Sequence, residues 1–301
     1  MNKLLHLFLA STCVFITALI AAPAEAKILE EERSLYQNVY MVQEHGYICM
    51  RFRKKSHNDL SQSCIFEDGS KQLVFDYYKL AMGATFFLDE PKDILVIGLG
   101  GGVLVNHYKE IYPEANITSV EIDEVVADMA RKYFSYTDEG EQYKTHIRDG
   151  RVFVKRAQRK DQRYDFILLD AFNSDYIPEH MMTKEYLEEV KSILKPGGII
   201  MANTFSSSAL FHHESETYHE VFGELYQIRF EDEKTNRVIV VSNEKLPEKR
   251  SLLKKVNQLK GIMMQYGVDS LRVFDAINTE VNWDTSAKIL TDQYSPANLL
   301  K

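Results

Sequence analysis

The stretch DILVIGLGGGVLVNHYKEIYPEANITSVEID, Asp93 to Asp123, decides how the rest of the chain is read. Ile94 to Ile97 is a short apolar run that breaks into Gly98-Leu99-Gly100-Gly101-Gly102. A helix-length pattern follows and ends near Tyr112-Pro113. A second β-branched run, Ile117 to Val120, then delivers Glu121 and Asp123. Strand, glycine turn, helix, strand and acid form the first half of a nucleotide-binding α/β sheet. Glycine is needed in such a turn because a side chain would hold the backbone away from the ligand. The acid that ends the second strand can accept hydrogen bonds from a ribose diol. A dinucleotide fingerprint, GxGxxG, would need glycine at position 103, where the chain has Val103. The pattern present is GxGxG, on Gly98, Gly100 and Gly102, as in Rossmann folds that bind S-adenosylmethionine. The alternative is a plain tight turn in another α/β protein.

Downstream the alternation continues. Helix 124–134 and the polar stretch Ser135 to His146 lead to Arg148-Asp149-Gly150, helix 150–158 and a buried-looking strand, 164–170, ending in Asp170. Helix 183–194 stops on Lys195-Pro196-Gly197-Gly198, and 198–203 is a further strand. After a helix at 212–224, strands at 226–230 and 237–241 close the sheet as a hairpin. Residues 251–266 form an amphipathic helix before an irregular tail. We therefore expect an α/β fold over 91–301, Rossmann-like and of the S-adenosylmethionine-dependent methyltransferase type, with a mostly parallel sheet and a C-terminal antiparallel hairpin. Upstream, residues 27–90 read as a small antiparallel β segment, followed by a linking helix over Leu73 to Phe87.

The first 26 residues stand apart. Lys3 precedes the apolar run Leu4 to Ile20, and Ala24-Glu25-Ala26 is a small-x-small cleavage site. This is the anatomy of a signal peptide cut before Lys27, with an uncleaved anchor as the alternative. Either way the folded part is expected outside the cytoplasm, periplasmic or secreted. Cys49 and Cys64 then lie opposite each other in a hairpin turning near Ser56 to Asn58. That allows a disulfide or two free cysteines. The 301 residues carry a net charge of −8, so composition favours neither nucleic acid nor an anionic membrane surface as partner. No Cys/His cluster has metal-ligand spacing, and the isolated His212-His213 reads as surface.

In doubly wound sheets the ligand lies beyond the carboxyl ends of the strands, where Glu121, Asp123, Asp149 and Asp170 fall. Glu121 suits a ribose and Asp149 an adenine amine, unless Asp149 only caps its helix. Asp170 sits at the reactive end as the candidate base.

The motifs IGLGGG, EID, RDG and LLDAFNSDYIP, in this order, resemble the spermidine synthases, the polyamine aminopropyltransferases. The resemblance is closest to a divergent bacterial branch with DAFxxDxIPxH, here Asp170 to His180, and a tail like LTDQYSPANLL at 290–300. It implies an in-line displacement, in which Asp170 deprotonates an amine that attacks the aminopropyl carbon of decarboxylated S-adenosylmethionine. It also implies that Gln37, Gly98, Gly100, Gly102, Glu121, Ile122, Asp149, Gly150 and Pro178 hold the nucleoside. Gln62, Tyr77, Tyr78 and Asn173 would face the amine. The implied partners are a small-molecule amine, such as putrescine, and further copies of the chain in a homodimer or homotetramer. No tightly bound cofactor or metal is implied.

Three positions depart from the pattern. Gly101 stands where the family carries an acid in its glycine turn, Asn173 where it carries a second acid, and Tyr78 where it carries histidine or glutamine. Buried ammonium groups need paired charge, so the losses at 101 and 173 bear on the substrate. Asp175 or Asp123 could compensate. Two other readings stand beside the transferase: an S-adenosylmethionine-dependent methyltransferase, and a non-catalytic nucleoside- or polyamine-binding protein.

Overall fold

Period-two alternation along the central strands places one set of apolar side chains on each face of a single large sheet. The computed structural model describes residues 26–54, 61–171, 177–231 and 236–296. Residues 1–25 of the expected leader, the expected turn at 56–58, Asn173 and Asp175 lie outside them.

The chain opens with a four-stranded antiparallel sheet. β1 (Lys27–Arg33), β2 (Asn38–Glu44), β3 (Tyr47–Arg51) and β4 (Ser61–Phe66) are joined in sequence order. Cys49 and Cys64 face each other across β3 and β4 and are bonded, so of the two states left open the disulfide is the one observed. The expected linking helix is shorter than 73–87. α1 (Asp76–Met82) gives way at Gly83 to a tighter 3₁₀ turn, Gly83–Phe87. A Cβ at Gly83 would lie 2.8 Å from Val273 and 2.9 Å from Ile228, so the chain is pressed against the neighbouring layer there.

The second sheet follows the expected alternation. In chain order it contains β5 (Asp93–Ile97), α2 (Val103–Ile111), β6 (Asn116–Glu121), α3 (Glu124–Tyr133), β7 (Tyr143–Ile147), α4 (Gly150–Arg159) and β8 (Tyr164–Leu169). Then come α5 (Lys184–Ser192), β9 (Leu194–Phe205), α6 (Phe211–Phe222), β10 (Tyr226–Ile228) and β11 (Asn236–Ser242). α7 (Leu253–Gln265), α8 (Ser270–Asp275) and β12 (Ile277–Asn278) complete it. The strand order is β12-β10-β11-β9-β8-β5-β6-β7. β5 to β9 pair in parallel, and β11 returns antiparallel between β9 and β10.

Ile94 and Val96 pack on one face with β2, α1, α2 and α3, while Leu95 and Ile97 pack on the other with α4, α5 and α6. One apolar cluster thus runs from the small sheet into the large one, through Val39, Met41 and Met50.

Four local expectations are corrected. Within the β segment expected over 27–90, strand-like residues are expected only from Ser34 onward, so β1 is an additional strand, and β7 lies inside the stretch read as polar; each is at the edge of its sheet. Lys195-Pro196-Gly197-Gly198 is not a helix stop. α5 has already ended at Ser192, and these residues lie in the irregular start of β9, where its register against β8 shifts. The tail is not wholly irregular either, since α8 and β12 follow α7.

Candidate active site

Chain order reverses beside β5. The path runs β5, β6, β7 to one side and then crosses back to β8 on the other, which opens a crevice at the carboxyl ends of β5 and β8. A cavity of about 650 Å³ occupies this crevice, lined from both sheets. The close approach that opens it depends on Gly98. A Cβ there would fall 2.3 Å from the Asp170 carbonyl oxygen, and its φ is +94°. Only glycine tolerates both conditions.

At one end of the cavity stands Glu121, the last residue of β6. Its Oε1 accepts from the backbone N–H of Ile122 (2.8 Å) and Asp123 (3.1 Å), and its Oε2 from Leu99 (3.1 Å) and Gly100 (3.3 Å). The carboxylate therefore ties the glycine turn to the next strand. Burial still raises its pKa in spite of these four donors. Asp123 is buried, caps α3 through Val125, and accepts from the Ser34 hydroxyl at 2.6 Å. The same Ser34 oxygen accepts from the amides of Tyr36 and Gln37, and this turn presents Gln37 to the cavity.

Asp149 caps α4, its Oδ1 accepting from the Val152 amide (2.9 Å), and it also lines the cavity. Its Oδ2 pairs with His180 Nε2 at 2.9 Å, and this contact holds the carboxyl below its ordinary range.

The other end is built around Asp170, just past β8. Burial raises its carboxyl to about 7, while a hydrogen bond donated by Asn203 Nδ2 to Oδ1 (2.9 Å) opposes the shift. Asn236 Nδ2 donates in turn to Asn203 Oδ1 at 3.1 Å, which fixes the amide with its N–H₂ toward Asp170. Tyr77 and Tyr78, from α1, pack with ring centroids 4.3 Å apart and planes tilted by 43°, and burial raises both phenols. Tyr78 is hydrogen-bonded to Tyr77 and to Ser63.

Ser63 Oγ also accepts from the Gly101 amide at 2.8 Å. A Cβ at Gly101 would lie 2.8 Å from both Ser63 Cβ and Phe134 Cδ1. The space an acidic side chain would need here is already filled.

Gln37, Gln62, Tyr77, Tyr78, Gly98, Gly100, Glu121, Ile122, Asp149, Gly150, Asp170 and Pro178 all line this one cavity. Gly102 does not: it is the N-cap of α2 and abuts the Tyr136 ring. Asp123 is committed to α3 and Ser34, so it is not a free replacement for the missing acids. Sequence reading passed over Ser63, Asn203 and Asn236. Asn203 did carry a signal, as an amide following the apolar run Ile199 to Ala202. His180 lay inside the quoted DAFxxDxIPxH motif without being assigned a role. His212 and His213 bond backbone groups of the C-terminal segment, and no cluster of three metal-ligating side chains occurs among the described residues.

Residues 76–232 match the family model described as the spermine/spermidine synthase domain. A polyamine aminopropyltransferase of Vibrio vulnificus is 40% identical over 278 residues, covering 92% of each chain. The chain belongs to the spermine/spermidine synthase family. Among solved structures, a probable spermidine synthase from Corynebacterium glutamicum has a TM-score of 0.64 at 20% identity, covering 86% of this chain and 97% of its own. Human methyltransferase-like protein 13, in complex with SAH, has a TM-score of 0.56 at 23% identity, covering 75% and 100%. At those identities the likeness is one of fold, and it establishes the methyltransferase-like sheet that this family shares.

Proposed function

We propose that this spermidine synthase family member transfers the aminopropyl group of decarboxylated S-adenosylmethionine to an amine such as putrescine, with Asp170 as general base. The observation that carries the reading is a half-buried carboxyl raised to about 7, held in place by Asn203, in a cavity that Glu121, Asp149 and Gln37 also line. The nucleoside would lie against Glu121, its ribose hydroxyls taking the place of the long Gly100 contact. The attacking amine would lie between Asp170 and the Tyr77–Tyr78 pair.

In the reaction the amine lone pair forms a C–N bond to the propyl carbon. The C–S bond breaks, and its electrons leave the sulfonium as the neutral thioether of methylthioadenosine. The proton lost from nitrogen goes to Asp170. The sulfonium is already a good leaving group, so what the protein adds is alignment and a base near neutral pH. The cavity has room for donor and acceptor together, as a direct displacement requires.

The compartment belongs to the same proposal. The leader and the Cys49–Cys64 bond both support an exported protein, because such bonds persist in oxidising compartments. Association into a dimer or tetramer is an expectation carried over from the family.

The test is incubation of residues 27–301 with decarboxylated or intact S-adenosylmethionine and a panel of amines, with products identified by mass spectrometry. Methylthioadenosine together with an aminopropylated amine is the expected result. S-adenosylhomocysteine with a methylated product would replace this reading by the methyltransferase one. Nucleoside binding without either product would leave a binding protein.

A further inference from the structure

Behind the nucleoside end of the cavity lies a buried arginine that the mechanism does not use. Arg151 is the second residue of α4, next to the cavity-lining Asp149 and Gly150, and it is 8% exposed. Its guanidinium makes two forked ion pairs. One is to Glu189 of α5, Nε to Oε2 and Nη2 to Oε1, both 2.8 Å. The other is to Asp292 of the C-terminal tail, Nη1 to Oδ1 at 2.6 Å and Nη2 to Oδ2 at 2.8 Å. The fifth contact is Nη1 to the backbone carbonyl of His180, 3.1 Å. All three partners are acceptors, and the planar fork of arginine matches two carboxylates in a way that lysine could not.

His180 belongs to the short turn Glu179–Met181, which with Pro178 forms the cavity wall facing Asp149. The tail grips the same turn from outside. Asp292 accepts from the Thr183 hydroxyl at 2.8 Å, its amide donates to Glu185, and Ser295 Oγ donates to the Glu179 carbonyl at 3.4 Å. Leu290 anchors the tail, fully buried against Met182 and Leu210.

We propose that the C-terminal tail is a strap that positions the nucleoside-binding wall, with Asp292 acting through Arg151 on His180 and Asp149. This rests on the reading that the cavity takes a nucleoside. Asp292 and Arg151 are positioning residues, and neither touches the reacting atoms. Without Asp292, Arg151 keeps Glu189 and the fold keeps its buried pair. What is lost is the charged link from the tail through Arg151 to the His180 carbonyl, while Ser295 and Leu290 still hold the tail in place.

The experiment is calorimetric titration of the mature chain with 5′-methylthioadenosine, together with steady-state kinetics. Asp292→Asn, which preserves shape and removes charge, should weaken nucleoside binding roughly tenfold, as expected for one charge-assisted contact. It should raise KM for the donor by a similar factor, with kcat at saturating donor unchanged. Asp292→Glu should restore most of the affinity, which a general loss of stability would not allow. Wild-type affinity in Asp292→Asn, or a fall in kcat with affinity unchanged, would overturn the strap. If the wild-type chain binds methylthioadenosine no better than adenine or unrelated nucleosides, the nucleoside reading itself fails, and that result is distinguishable from the first two.

Discussion

Asp170 is where the chemistry and the stability of this molecule meet. Burial raises its carboxyl from 3.8 to about 7, so the folded chain holds a proton that the unfolded chain has already released between those values. The sign follows from proton linkage. Stability falls as pH rises from about 4, and the loss is complete above about 7. Asp170→Asn removes this cost, so the variant should be more stable than wild type by about 2–4 kcal/mol at pH 8. It should show little difference below pH 4, as read by urea unfolding at the two pH values. The same substitution should lower kcat by about 10²- to 10⁴-fold if the carboxyl is the base. Unchanged turnover would end that assignment. In wild type, kcat/KM should rise with pH through a midpoint near 7, because the base must be ionised. Asn203→Ala removes the hydrogen bond that opposes burial, and should move the midpoint upward by about one unit. Asp170 and Glu121 were legible from sequence because each ends an apolar strand. Asn203 follows an apolar run in the same way, but its role and that of Asn236 were not legible, since they rest on an amide-to-amide contact between two strands that spacing along the chain does not encode.

At the scale of elements, β3 and β4 do more than complete a small sheet. Their disulfide lies one residue from Ser63, whose hydroxyl holds the Gly101 amide and bonds Tyr78. Replacing Cys49 and Cys64 by serine should lower stability by about 3 kcal/mol, the scale for freeing a loop of this length. The Tyr77–Tyr78 side of the cavity should loosen with it. The expected kinetic signature is a raised KM for the amine with donor affinity little changed. Equal loss on both substrates would mean a global effect.

Within the large sheet, the strands legible as apolar runs are those buried on both faces. β5, β8 and β9 are apolar runs because helices cover them above and below. β1 and β7 escaped because KILEEER and YKTHI are edge strands that lack an apolar run and are mostly charged or polar. That composition protects a sheet edge and hides the strand.

Taken whole, the site belongs to neither sheet alone. Ser34 reaches Asp123 across 89 positions, and Ser63 reaches Gly101 across 38. The alternation of strands and helices therefore revealed the fold but not the joint between its two parts. The geometry at that joint also accounts for the missing acid at position 101, because Ser63 and Phe134 fill the space. One property of the whole chain can be tested independently of catalysis. The small sheet is crossed by a disulfide that a reducing cytoplasm would not sustain, and the leader expected from the sequence would end one residue before β1. Expressed with its leader, the chain should fractionate with the periplasm or medium and begin at Lys27. After denaturation without reductant it should show no alkylatable thiol. Expressed from Lys27 in a reducing cytoplasm, it should show two thiols and melt at lower temperature until oxidised. A leader retained in the membrane fraction would favour the anchor over cleavage, with the same oxidised pair. Alkylation at Cys49 or Cys64 in the product expressed with the leader, as distinct from Cys13 of an uncleaved leader, or recovery of that product from the cytoplasm, would sink the assignment to an oxidising compartment, and the Cys49–Cys64 bond would then have to form by another route.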